Sequence, residues 1–120
     1  MTIRLTNGVE IQAITVNGTT RHFQGQIRDS LEIQLAKDTK SFDELDLLFA
    51  DSNNTKVIKL IDGETEYIHD NYTLRVEMSL KPVVITNATS TTAEVTEERY
   101  SIILAQKTYI ELQLDAILNR

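Results

Sequence analysis

The stretch whose reading decides the fold is the last 25 residues, Thr96-Glu-Glu-Arg-Tyr-Ser-Ile-Ile-Leu-Ala-Gln-Lys-Thr-Tyr-Ile-Glu-Leu-Gln-Leu-Asp-Ala-Ile-Leu-Asn-Arg120. It is rich in helix formers and contains neither Gly nor Pro, so it predicts a helix over 96–120. Plotted at about 100° per residue, Ile103, Ile110, Leu114 and Ile117 form one apolar stripe, and Ile102, Ala105, Tyr109, Leu112 and Ala116 form a second. Only Gln106 and Gln113 lie between them, and the polar face of Ser101, Thr108, Glu111, Asp115 and Asn119 is narrow. A helix covering its own sheet needs a single stripe roughly 100° wide, and this segment offers about twice that. The second stripe has the 3-4 alternation of helix pairing. Leaving it in water would forgo several kcal/mol, at roughly 1.5–3 kcal/mol per Leu or Ile. The expectation is that the first stripe packs on the body and the second on another chain. That makes Ile102, Ala105, Tyr109, Leu112 and Ala116 the candidate interaction residues, and it makes the protein a homo-oligomer. A helix buried on both sides within one chain is the alternative.

Working back from this segment, residues 86–95 are small and polar, without periodicity, and are expected to link the helix to a β-rich body over 1–85. Within that body Tyr72, Leu74, Val76, Met78 and Leu80 alternate strictly, the signature of a half-buried strand, and Pro82 confines the residues after it to an edge or loop. Asp62-Gly63 predicts a hairpin between strands at 57–61 and 64–68. Ser41-Phe42-Asp43-Glu44 fits a capping box, with Phe42, Leu45, Leu48 and Phe49 at helical spacing behind it, so a short helix is expected over 41–51. Leu31, Ile33 and Leu35 alternate with polar residues. Asn7-Gly8 and Asn17-Gly18 predict tight turns between strands near 2–6, 9–16 and 19–27. In the second of these, Val9, Ile11 and Ala13 keep one phase while Ile14 and Val16 take the other, which suggests a bulge or a strand buried on both faces. The whole reads as one α+β domain: a mostly antiparallel β body, one short internal helix and a C-terminal helix.

Composition narrows the function classes. The 120 residues include no cysteine, which removes disulfide scaffolds, Cys-ligated metals and thiol nucleophiles. Net charge is −6, with no cluster of Lys and Arg of the kind that displaces counterions from nucleic acid, so no nucleic-acid partner is expected. Residues 41–70 hold eight acids against two bases and alone carry −6. Asp43, Asp46, Asp51, Glu64 and Glu66 are therefore a second candidate surface, an acidic one, weighed against a solvated face that only aids solubility. No apolar leader comes after Met1 and no run nears the roughly 18 apolar residues of a spanning helix, so no membrane partner is expected.

No catalytic constellation emerges. His22 and His69 are the only histidines and have no neighbouring ligand pattern. Asp62-Gly63-Glu64-Thr65-Glu66 lacks the spacing of a calcium loop and has the chemistry of a turn. The capping box and the helix dipole account for Glu44 and Asp43. With four glycines there is no phosphate-binding loop. The expectation is a non-enzyme without catalytic, cofactor or metal residues and without a cofactor.

The segment Arg28-Asp29-Ser30-Leu31-Glu32-Ile33-Gln34-Leu35, then Ser41-Phe42-Asp43-Glu44-Leu45 with Leu48-Phe49, and the terminal Leu104-Ala105-Gln106-Lys107-Thr108-Tyr109-Ile110-Glu111 carry a resemblance. Together they resemble the small uncharacterised proteins encoded among the tail and baseplate genes of phages and prophages of Gram-positive bacteria. The resemblance covers most of the chain as a layout: β-rich body, Thr-rich polar stretch, C-terminal helix. It implies a structural or accessory role in the tail, acting by protein–protein interaction and self-association, in the host cytoplasm or built into the virion. The alternative is a phage-encoded soluble protein that modulates a host defence or housekeeping protein through its acidic surface.

Overall fold

The computed structural model describes residues 1–118. Its elements are β1 (Thr2–Arg4), β2 (Glu10–Gln12), β3 (Thr15–Phe23), β4 (Gln26–Ala36), α1 (Phe42–Ala50), a 3-10 turn (Ser52–Thr55), β5 (Val57–Asp62), β6 (Thr65–Asp70), β7 (Leu74–Thr86), β8 (Val95–Ala105) and α2 (Tyr109–Leu118). The strands form two antiparallel sheets of four, in the orders β2-β1-β5-β6 and β3-β4-β8-β7. Ile3, Ile11, Ile58 and Leu60 from the first sheet meet Ile33, Leu35, Ile102 and Leu104 from the second in one core, which α1 joins through Leu45 and Phe49. The fold class is thus the expected one, α+β and mostly antiparallel. Neither described helix is long and apolar enough to cross a membrane.

The N-terminal turns divide into one that forms and one that does not. Asn7-Gly8 turns the chain from β1 to β2, with Gly8 at φ +90° and the Asn7 side chain accepting from the Val9 N–H at 3.1 Å. Asn17-Gly18, expected to be a turn, lies within β3, where Gly18 faces Leu31. The turn falls instead at Gln24-Gly25, both at positive φ (50° and 77°), as a two-residue turn of primed type needs. The change of hydrophobic phase between Ala13 and Ile14 marks where the chain leaves one sheet for the other, with Ile14 and Thr15 both set against Gln34 of β4, as at a bulge. The Ala13 N–H bonds the Met1 carbonyl in the first sheet, and the Ile14 N–H bonds the Gln34 carbonyl in the second. Side-chain parity resets at the crossing.

The predicted hairpin at Asp62-Gly63 and the helix behind Ser41 both form. Gly63 takes φ +63° between β5 and β6. Ser41 caps α1, its Oγ accepting from the Glu44 N–H at 3.2 Å and donating to Glu44 Oε1. The alternation read over 72–80 is interrupted by a bulge between Arg75 and Glu77. The bulge gives Arg75 the parity of Leu104 and aims it at α1, where it is hydrogen-bonded to the Asp46 carboxylate. Pro82 is tolerated because β7 is an edge strand and pairs only with β8.

The C-terminal third departs most from expectation. Residues 96–105 are not helical: Val95–Ala105 is the strand β8, placed centrally between β4 and β7. Nor does 86–95 link two bodies, because residues 87–94 are the loop of the β7–β8 hairpin, closed by Thr89 and Thr92. The physical reason lies in Tyr100-Ser-Ile-Ile-Leu-Ala, six consecutive buried residues. A strand flanked on both sides and covered on both faces accepts an unbroken apolar run, and its β-branched residues suit a pleated surface. Pairing with two neighbours outweighs the helix propensity of the same residues. The division into body, linker and helix gives way to one unit whose second sheet depends on β8.

Candidate interaction surface

β8 ends at Ala105, and the chain turns through Gln106 and Lys107 into α2. Thr108 and Glu111 form a reciprocal capping box: the Thr108 hydroxyl accepts from the Glu111 N–H at 3.3 Å, and Glu111 Oε1 accepts from the Thr108 N–H at 2.8 Å. Sequence reasoning missed this box, although Thr108-Tyr-Ile-Glu111 is its signature and would have placed the helix start where it is.

A buried arginine holds the helix. The Arg28 side chain is 1% exposed and stands on β4 with the parity opposite to that of the core residues Ile33 and Leu35. Its Nε donates to the Phe23 carbonyl at 2.9 Å and its Nη1 to the Gln106 carbonyl at 3.1 Å. Nη1 and Nη2 also donate to the two carboxylate oxygens of Glu111. One guanidinium therefore ties together the end of β3, the turn after β8 and the first turn of α2. This fork-to-fork pairing is the strong form of the ion pair, and a guanidinium withdrawn from water requires such partners. Hydrogen bonds from Arg28, then from the Thr108 backbone, lower the Glu111 carboxyl to about 2. Lys107 adds a bond to Asp115 at 2.5 Å.

With Glu111, Leu112 and Asp115 half-buried, the other side of α2 points to solvent. There Tyr109 is 75% exposed, Ile110 71%, Leu114 52%, Ile117 59% and Leu118 78%. No residue of α2 is buried. Scattered apolar residues on a surface are ordinary, but five on one helical face make a contiguous patch, the mark of an interaction site. Ile110, Leu114 and Ile117, assigned to the body, therefore face outward, and Ile103 of the same stripe is a buried strand residue of β8. Of the five residues assigned to a partner, Ile102 and Ala105 are buried strand residues of β8, Leu112 is half-buried, and Tyr109 and Ala116 are exposed. Asn119 lies outside the described residues.

The acidic candidates do not form one free surface. Asp46 is paired with Arg75, and Asp51 caps the 3-10 turn by accepting from the Asn53 N–H at 3.0 Å. Asp43 lies in the first turn of α1, while Glu64 and Glu66 belong to the β5–β6 turn and to β6. Among the described residues no three His, Asp or Glu side chains converge as metal ligands would. His22 is exposed on β3, and His69 packs edge-on to Tyr72 with ring centroids 6.0 Å apart. Comparison with protein-family models, with curated proteins and with solved structures found no match for the chain.

Proposed function

We propose that this chain works by protein–protein interaction, as an accessory component in the tail or baseplate region of a phage, and that α2 is its docking helix. The observation that carries the reading is the outward apolar face of α2 on a helix with no buried residue of its own. Ile110, Leu114 and Ile117 stand at i, i+4 and i+7, the anchor spacing of a helix laid in an apolar groove. Ten residues make too short a helix to persist alone in water, so the Arg28–Glu111 clamp presents this face already ordered. That ordering lowers the entropy cost of docking. The tail setting comes from the resemblance in layout. Each anchor that becomes fully buried contributes roughly 1.5–3 kcal/mol.

The test compares parent and Leu114→Glu proteins for incorporation into purified phage particles from the source strain. The parent is expected in the particles and Leu114→Glu is expected to be depleted at least about 10-fold, since a buried carboxylate adds desolvation to the lost contact. Equal incorporation of the two would remove α2 as the docking element. Absence of both would remove the tail role.

A further inference from the structure

The outer strands of the two sheets differ in how they are protected. β2 is three residues long. β6 has six residues and carries Glu66 and Asp70. β7 carries Lys81 and Pro82 and is bulged at two places. These are the devices that keep a sheet edge from pairing with another chain. β3 is the least guarded of the four: Thr-Val-Asn-Gly-Thr-Thr-Arg-His-Phe runs in unbroken register with β4 over nine pairs, with Arg21 as its single charge and without proline, lysine, acid or bulge. Its residues 17–22 are exposed. We infer that β3 is a pairing edge, and that its partner is β3 of a second copy of this chain, antiparallel about a two-fold axis at Thr19. This goes beyond the α2 reading and rests on different residues.

The hydrogen-bond parity supports this register. The Gln34 carbonyl points to the β3 side, where it accepts from Ile14, and the Asp29 carbonyl points to the β8 side, where it accepts from Gln106. Even-numbered residues of β4 therefore bond β3, and their partners Thr15, Asn17, Thr19, Arg21 and Phe23 are turned inward. The N–H and C=O groups of Val16, Gly18, Thr20 and His22 face outward. A two-fold at Thr19 sets Val16 opposite His22 of the second copy and Gly18 opposite Thr20, so every outward group meets an outward group. About eight hydrogen bonds result, within the usual range for a specific interface.

The side chains agree with the same register. Thr19 meets Thr19, and Thr15 meets Phe23, a β-branched residue against an aromatic, both favourable cross-strand pairs. Arg21 falls opposite Asn17, so the one charged side chain of the strand meets no like charge. In a chain of net charge −6, β3 is a strip free of acid along which two copies can approach. Gly18 has nothing within 4 Å of where a Cβ would stand, which leaves the centre of the edge open.

Cysteine cross-linking tests the register, since the native chain has no thiol. Thr19 and its symmetry mate form a non-hydrogen-bonded pair, the closer of the two antiparallel pairings, with Cβ separations near those of a disulfide. Mild oxidation of Thr19→Cys at high micromolar concentration is expected to yield mainly covalent dimer. Asn17→Cys alone is expected to yield little, and an equimolar mixture of Asn17→Cys with Arg21→Cys should give the mixed dimer. Thr20→Pro, which removes an outward N–H not used within the sheet, is expected to keep the circular dichroism of the parent and lose the dimer mass in light scattering. A folded Thr19→Cys protein that cross-links no more than Asn17→Cys would overturn the inference. So would a Thr20→Pro protein that dimerises like the parent. Leu114→Glu separates the two surfaces: loss of the dimer there, with Thr20→Pro unaffected, moves self-association to α2 and ends the β3 reading. Intact dimers of Leu114→Glu combined with unchanged particle incorporation end only the α2 reading.

Discussion

Gln24 and Gly18 show how a single backbone angle separates two sites that look alike in sequence. Asn17-Gly18 has the better turn composition, yet Gly18 is a strand residue with ordinary φ, while Gln24, with a side chain poorly suited to the left-handed region, takes φ +50°. The turn is placed by pairing across nine positions, not by the local preference of two residues. Each position carries its own expectation. Gln24→Asn puts a residue tolerant of that conformation in the turn and is expected to raise stability by about 0.5 kcal/mol, or about 2 °C in thermal midpoint. Gly18→Thr replaces a flexible residue in a strand, with open space where its Cβ would be, and is also expected to stabilise, by about 0.5–1 kcal/mol. Were Asn17-Gly18 the turn, a β-branched residue at 18 would destabilise instead, so a thermal melt of Gly18→Thr decides between the two.

At the scale of elements, β8 and α2 are two structures within one apolar stretch. A run such as Ile102-Ile103-Leu104-Ala105 carries helical and strand periodicities at once, and periodicity alone does not separate them. The legible features were local: the Ser41 box, the Asp62-Gly63 hairpin and the Leu31-Ile33-Leu35 alternation all form, because each is specified by neighbours in the chain. Thr108 and Glu111 were equally legible as the start of α2. The central position of β8 was not, since it comes from pairing with Leu31–Ala36 and with β7. The two readings of Ile102 differ in energy. A partly exposed helix residue would lose little on truncation, whereas Ile102, fully buried in the core, is expected to lose about 2–5 kcal/mol in Ile102→Ala by chemical denaturation. Thr108→Ala removes the α2 cap at a cost of about 1 kcal/mol. Its effect is expected in hydrogen exchange of the α2 amides, with the amides of β8 unchanged, because α2 buries none of its residues in the core.

For the molecule as a whole, the position of α2 depends on a contact between residues 83 apart in sequence, Arg28 and Glu111. No local pattern announces it: Arg28 reads as a polar residue in a strand and Glu111 as one on the polar side of a helix. Together they decide which face of α2 turns outward, and that is why Ile110, Leu114 and Ile117 meet solvent and not the body. The ion pair also gives the docking of α2 a pH signature. Arg28 and the Thr108 backbone favour the ionised Glu111 and lower its carboxyl from 4.5 to about 2. A group lowered on folding contributes stability that is complete above its unfolded value and is lost as pH falls through the folded one. The docked helix is therefore expected to be insensitive to pH above about 5, and to loosen only as pH falls toward 2. In Arg28→Ala the principal cause of the lowering is gone, so the Glu111 carboxyl is expected to titrate well above 2, back toward the ordinary range. Following the Glu111 side-chain carboxyl by NMR in parent and Arg28→Ala proteins checks this, with the core resonances of Ile102 and Leu104 reporting that the body stays folded. A Glu111 that still titrates near 2 without Arg28 would mean that the capping bonds from Thr108 suffice, and that the buried arginine does not set the orientation of the helix.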